Sequence, residues 1–346
     1  MLIFGRFQKN STYRDKYNTM KNLLIICILT FFTQWAYPSQ PVKIIFDTDM
    51  GPDYDDVGAI TVLHALAANN ECEILATCAS DRYPTIAPTI EAFNSYFRKP
   101  NIPIGVAKEN APDFSNKNHW NDSIVAKFLP AHKTNDDYPS AVDVYRKVLD
   151  SQADQSVTIV TVGFLSNLAD LLKSGADRYS PLSGMELVKK KVKNLVAMAG
   201  KFPQGSEFNL DRDPQASVYT LENWPTTILF SGFEIGNMIL TGRKVADNGS
   251  ANSPVRWAYK YNLDTYEDKK VEKRKSWDQT AVLCAVRNPE KYFYIAGPGK
   301  IVIHEKGSNK WDPDKNAQHY FLVHKYPYQR IEDVIDELMM YEPKKK

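Results

Sequence analysis

The chain has only 4 cysteines in 346 residues, too few for a disulfide framework in a chain of this size. Its 16 glycines and 20 prolines fall short of collagen-like or low-complexity composition. Charge of one sign is also missing: 43 Lys and Arg face 41 Asp and Glu, a formal net of +2. Leaving out the first forty residues, with Arg6, Lys9, Arg14, Lys16, Lys21 and Asp15, gives 38 basic against 40 acidic side chains. A body so near neutrality, with no basic stripe, lacks the field that holds nucleic acid phosphates, so nucleic acid is not expected as a partner. There is also no long apolar run. The stretch Leu23–Trp35 covers thirteen residues, too few to span a bilayer. What remains is 43% hydrophobic and 24% charged, the composition of an ordinary globular protein.

With Lys21 before it and the small residues Ala36 and Ser39 after it, that short apolar run reads as a secretory signal initiating at Met20, so the protein is expected to be exported, periplasmic or secreted. Residues 1–40 are assigned to delivery and 41–346 to a single domain. Cys27 lies in the signal; the bulky Ile26 before it argues against a lipoprotein attachment site. Cys72 and Cys78 fall on one expected strand and cannot pair there, so Cys72, Cys78 and Cys284 are expected as buried free thiols.

From Pro41 onward, short β-branched runs alternate with helical periodicity. VKIIF (42–46), EILATCA (73–79), IPIGV (102–106), VTIVTV (157–162), NLVAMAG (194–200) and TTILFSG (226–232) read as strands. Helices are expected at 56–68, 86–98, 141–151 and from about Leu165. Apolar runs without alternation suit strands covered on both faces, which predicts an α/β fold with a mostly parallel central sheet flanked by helices. The last third differs. After the charged DKKVEKRK (268–275) and a helix opening at Trp277–Asp278, the segments KYFYIAG, KIVIHEKG and HYFLVHK read as antiparallel strands, a small C-terminal hairpin, before an amphipathic helix at about 330–341.

The most informative stretch is FDTDMGPDYDD (46–56). It packs Asp47, Asp49, Asp53, Asp55 and Asp56 into ten residues directly after a buried strand. Like charges this close raise one another's pKa unless a cation neutralises them, and carboxylate oxygen suits hard Ca²⁺ or Mg²⁺. Ligands of open α/β sheets also sit beyond the carboxyl ends of the strands. A solvated loop capping the next helix would need only one of the five. An EF-hand fails because Gly51 is fifth from Asp47 and position twelve is Gly58. Asp47-Thr48-Asp49 is also similar to the D-x-D of haloacid dehalogenase-type phosphotransferases, but Gly51 stands where they carry Thr or Val.

DTDMGPDYDDVGAI resembles the signature of the nucleoside hydrolases, calcium-dependent N-ribohydrolases opening with D-x-D-x-G and an Asp-Asp pair at a helix start. Three later segments follow in the family's order: VTIVTVGFLSNLADLL (157–172), EFNLDRDPQAS (207–217) and WDQTAVLCAV (277–286). The resemblance covers about residues 42–341. It implies a nucleoside hydrolase-like fold, a bound Ca²⁺, a nucleoside or related ribosyl substrate, and assembly as dimers or tetramers.

By this resemblance Asp49 is the catalytic base that takes a proton from water while also binding calcium. Asp56, Asp278 and the backbone carbonyl of Val162 complete the metal ligands. Asp55 and Asn209 bind the ring diol, Glu207 the 5′-hydroxyl, and Asp81 stands where the family usually has Asn. Asp47 and Asp53 are assigned to organising the loop. Two departures concern the leaving group. Trp277 replaces the His that precedes the last metal Asp in purine-active members, and an indole can stack on a base but cannot act as a general acid. Lys201 replaces an Asn near the 5′ end, where a cation could contact a hydroxyl, accept an anionic substituent or pair with Glu207. None of His64, His119, His132, His304, His319 and His324 lies in a matched motif, and His64 reads as a core residue. Glu234 has no assigned role. The expected activity is cleavage of an N-glycosidic bond, with a catalytically weakened nucleoside- or sugar-binding protein as the alternative.

Overall fold

The computed structural model describes residues 40–114, 117–130, 133–265, 271–304 and 306–344. The expected signal, Cys27 and His132 therefore lie outside the described residues, as does the start of the charged 268–275 segment. Among the described residues twelve strands run in chain order: β1 (Val42–Thr48), β2 (Cys72–Ala79), β3 (Ile104–Val106), β4 (Val157–Thr161), β5 (Val192–Met198), β6 (Gln204–Gly205), β7 (Thr227–Ser231), β8 (Leu240–Thr241), β9 (Arg274–Lys275), β10 (Tyr294–Ile303), β11 (Asn309–Pro313) and β12 (His319–Val323).

Ten of them form one sheet in the order β3-β2-β1-β4-β5-β7-β12-β10-β11-β6, while β8 and β9 pair separately. The run from β3 to β12 is parallel throughout. The far end, β12-β10-β11-β6, is antiparallel. Both faces are covered, as the apolar runs require. Along β1, Ile44 and Phe46 join the core on one face, and Ile45 joins the core on the other. Helices Asp55–Ala68, Ile86–Tyr96, Trp277–Val286 and Gln329–Met339 build the first layer, and Ala141–Asp150, Ser166–Lys173 and Gly184–Lys191 the second. Among the described residues no helix is long and apolar enough to cross a membrane.

The hairpin region differs in detail from its sequence reading. KYFYIAG and KIVIHEKG contribute to the single strand β10, because the Gly297-Pro298-Gly299 segment makes a register irregularity between Ala296 and Gly299 rather than a turn. The strand in HYFLVHK pairs parallel to β7 and antiparallel to β10, so it joins the main sheet to the hairpin. Cys72, Cys78 and Cys284 are buried and free.

Helix Asp55–Ala68 is the centre of the first layer and is buried from Asp55 to Leu66. It lies so close to helix Trp277–Val286 that a Cβ on Gly58 would fall 2.3 Å from Gln279 Nε2. This contact brings the N-termini of the two helices together above the carboxyl end of β1.

Candidate active site

A cavity of about 290 Å³ opens at the carboxyl ends of the parallel strands. Each neighbouring strand contributes to it: Asp49, Asp53 and Asp55 follow β1, Val162 follows β4, Met198 ends β5 with Glu207, Phe208 and Asn209 beyond it, and Phe233 follows β7. Arg274 of β9 and the helix start Trp277–Asp278 close the remaining side. The antiparallel pairing of Thr241 with Arg274 holds that arginine in place.

The loop after β1 is organised by its own polar groups. Thr48 Oγ1 donates to Asp56 Oδ1, and the Met50 N–H reaches both at 3.1 Å, a geometry reached with Met50 at φ +32°. Asp47 faces away from the cavity. Its Oδ2 accepts Tyr145 Oη at 2.7 Å and Asn167 Nδ2 at 3.0 Å, and Asn167 also reaches the Ala79 carbonyl at 3.0 Å. Asn167 thereby pins the ends of β1 and β2 to the helix after β4. Gly163 permits the close approach of this turn to the acidic loop: a Cβ there would lie 2.4 Å from the Asp49 amide nitrogen.

Carboxylates from distant parts of the chain converge. Oxygens of Asp53, Asp55 and Asp278 can all lie within 4.8 Å of one another. Asp49 and Asp56 adjoin this trio, close enough for their charges to act on Asp278. Burial first, then repulsion from neighbouring aspartates, pushes Asp49, Asp55 and Asp278 well above the usual carboxylate range. Burial likewise lifts Asp56 to about 7. Such a cluster must hold protons or a cation. Asp56 Oδ2 is buried without a hydrogen-bond partner, and the donors around it are all oxygen, so the residues present fit a hard divalent ion.

Part of the cation requirement is met from within the chain. The Arg274 guanidinium, 2% exposed, lies 2.6 Å from Asp53 and 3.0 Å from Asp55, over the Tyr54 ring and 5.2 Å from the Trp277 ring centroid. Asp55 Oδ2 accepts the backbone N–H groups of Trp277 at 3.1 Å and Asp278 at 3.3 Å. Ser276, the N-cap of that helix, makes no side-chain cap bond, so Asp55 satisfies the exposed helix donors in its place.

The other expected site residues separate into two groups. Glu207 accepts the N–H groups of Gly200 at 3.1 Å, Asn209 at 2.8 Å and Leu210 at 3.3 Å, and burial raises it to about 7. Asn209 Nδ2 donates to the Val162 carbonyl at 3.0 Å and to that of Met198 at 2.9 Å. Glu207, Asn209, Val162, Trp277, Asp49, Asp55 and Asp278 all line the cavity. Asp56 and Asp81 lie behind its wall. Asp81 accepts the Tyr83 N–H at 2.7 Å and that of Phe114 at 3.2 Å. Lys201 is exposed, with its ammonium 5.4 Å from the Phe233 ring centroid.

The chain matches the model of the inosine-uridine preferring nucleoside hydrolases over residues 44–325. It belongs to that family. An uncharacterised protein of Schizosaccharomyces pombe is 28% identical over 195 residues, which is 53% of this chain and 58% of that protein. The match thus spans less than two thirds of the curated relative's length. Three solved structures share the fold. A plant nucleoside hydrolase has a TM-score of 0.65 at 17% identity, covering 87% of this chain and 99% of its own. The inosine-uridine preferring nucleoside hydrolase of Bacillus anthracis has 0.64 at 14%, covering 86% and 99%. The type III effector protein XopQ, complexed with adenosine diphosphate ribose, has 0.64 at 13%, covering 88% and 94%.

Within this nucleoside hydrolase frame, Arg274 is the site residue that sequence reasoning missed. It sits in the charged DKKVEKRK segment, and only its burial and its distance to Asp55 mark it as part of the site. Phe208 and Met198 were also invisible as cavity lining, because apolar residues at the end of a strand or the start of a helix read as core. Among the described residues no histidine lines the cavity. His64 is in the core, hydrogen-bonded to Asn94 at 2.9 Å and stacked on Phe97. His119 lies instead against Tyr83 and Asp122.

Proposed function

We propose that the chain is a Ca²⁺-dependent hydrolase of the N-glycosidic bond of a ribonucleoside or related ribosyl compound. The observation that carries this reading is the convergence of Asp49, Val162, Asp278, Glu207 and Asn209 on one cavity from four separate stretches of sequence. Asp49, Asp56, Asp278 and the Val162 carbonyl would hold the ion, which when bound would polarise a water and grip vicinal hydroxyls.

The side chains supply the rest. Asp49 takes the proton from water, a role suited to a carboxylate that burial and the neighbouring aspartates hold well above the usual range. Asn209, its amide nitrogen committed to the Val162 and Met198 carbonyls, presents its oxygen as an acceptor for a sugar hydroxyl. Asp55 is held rigid by Arg274 and the helix N–H groups beside the diol position, and Glu207 is fixed by three backbone donors for the 5′-hydroxyl. Trp277 is oriented by its Nε1–H to the Phe233 carbonyl at 2.8 Å, and with Phe233 it forms an aromatic wall that excludes water around the departing group. Arg274 opposes negative charge developing on that group.

Release of free ribose from a panel of nucleosides with added Ca²⁺, abolished in Asp49→Ala, tests the reading. Binding without release would support a second one, a ribosyl-binding protein without turnover, which the absence of a cavity-lining histidine among the described residues favours. We further infer export through the Leu23–Trp35 segment and assembly as dimers or tetramers. These rest on the sequence pattern and the family respectively.

A further inference from the structure

The loop after β5 carries Glu207 to the cavity, and side chains from two other parts of the fold hold that loop in place. Asn309, the first residue of β11, is buried, and its amide pairs with the Lys201 backbone as a peptide unit would. Its Oδ1 accepts the Lys201 N–H at 2.8 Å, and its Nδ2 donates to the Lys201 carbonyl at 2.9 Å, across 108 residues of chain. The next amide is held as well: Glu234, in the helix start after β7, accepts the Phe202 N–H through Oε2 at 3.0 Å. The two stretches then continue as a short ladder. Asn309 stands opposite Gly205 and Lys310 opposite Gln204, and the Trp311 N–H donates to the Pro203 carbonyl at 2.8 Å.

Gly200 links this clamp to the site. Its carbonyl, on the same peptide as the Lys201 N–H, accepts the Phe233 N–H at 2.8 Å, and its own N–H donates to Glu207 Oε2 at 3.1 Å. Both peptides flanking Lys201 are thus held at both polar ends. Gly200 also stands at φ +76°, and a Cβ there would lie 3.3 Å from Asn309 Oδ1, so the clamp closes directly on it. Glu207 and Phe233 line the cavity, whereas Asn309 does not. We propose that Asn309 is a positioning residue: by fixing the Gly200–Lys201 peptide it holds the Gly200 N–H against Glu207 and so aims that carboxylate at the 5′-hydroxyl. This deepens the ribosyl-hydrolase reading above and rests on it. The antiparallel hairpin then serves the sugar end of the cavity, because a carboxylate selects a hydroxyl only while its direction is fixed.

The test compares inosine and uridine with their 5′-deoxy analogues, which lack only the hydroxyl given to Glu207. In the full chain with Ca²⁺, kcat/KM should favour the hydroxyl-bearing nucleoside by about thirtyfold. Asn309→Ala should cut that preference about tenfold, with the loss falling on the hydroxyl-bearing substrate. A merely structural fault would slow both members of a pair alike. Asn309→Asp keeps an acceptor for the Lys201 N–H and should lower the preference by about threefold; it carries the test if the alanine variant does not fold. Should no product form, the same pairs are compared by calorimetric binding, with the same ratios expected. No preference in the wild type, or a preference that the substitutions leave unaltered, would overturn the proposal. Hydrolysis with a preference indifferent to Asn309 sinks this inference and spares the hydrolase reading. A binding preference that Asn309→Ala removes, in a chain that forms no product, does the reverse, and binding of none of the four nucleosides sinks both.

Discussion

Asp55 begins one helix and caps another: its Oδ2 accepts the Trp277 N–H at 3.1 Å across 222 residues of chain, while its Oδ1 meets Arg274 at 3.0 Å. Through this one carboxylate, the loop after the first strand is joined to the helix that carries Asp278. The site is therefore also a structural joint.

Removing that carboxylate should be costly. Asp55→Ala removes one of the two carboxylates that Arg274 meets, Asp53 remaining at 2.6 Å, and takes the acceptor from the second helix's N–H groups, so a loss of about 2 kcal/mol is expected. Urea unfolding of the two proteins measures it. A change below about 1 kcal/mol would show that the joint carries little.

Gly163→Ala introduces a methyl group 2.4 Å from the Asp49 amide nitrogen and 2.5 Å from Ser80 Oγ. Since the nearer atom is backbone, Asp49 must shift, and displacement of a reacting group by this order can cost about a hundredfold in turnover. The expected outcome is a chain that still folds but releases ribose far more slowly. Unchanged turnover would place the reaction elsewhere.

His64 provides a pH signature outside the site. Burial pushes its pKa down to about 4, so as pH falls from 6.5 the unfolded chain binds the proton first. Stability that is complete above pH 6.5 is then lost as pH falls toward 4, by about 3 kcal/mol for this one group. Asp81 and Glu207, each raised to about 7, act in the opposite direction, since their destabilisation grows as pH rises from their unfolded values through 7. The comparison of wild type with His64→Gln isolates the histidine. Parallel stability curves for the two would refute its role.

Trp277→His places a titratable group beside Asp278. If the natural site lacks an acid for the departing group, turnover of poorly leaving bases should rise on the order of a hundredfold, with activity falling as pH climbs through about 6.5. Slower turnover with a flat pH profile would show instead that the indole wall is what the reaction needs.

The sheet and its flanking helices were legible because both faces of each parallel strand are apolar, which leaves a pattern no solvated element shares. The acidic loop was legible because five aspartates in ten residues have few physical explanations. Arg274 was not, since a buried cation within DKKVEKRK has the same local sequence as an exposed one; its burial depends on β8, more than thirty residues earlier. The continuity of β10 was hidden for a similar reason. Gly297-Pro298-Gly299 signals a turn locally, and only pairing with β11 and β12 keeps the strand going. Asp53 was assigned to shaping the loop, but its pairing with Arg274 at 2.6 Å also places it on the cavity wall.

The most direct measurement is calorimetric titration of Ca²⁺ into the chain above pH 7, repeated with Asp278→Asn and Asp49→Asn. The account predicts one ion per chain, proton release on binding, and loss of the site in both variants, because carboxylates 229 residues apart would share that ion. Absence of binding, or binding that either variant leaves unchanged, would contradict it.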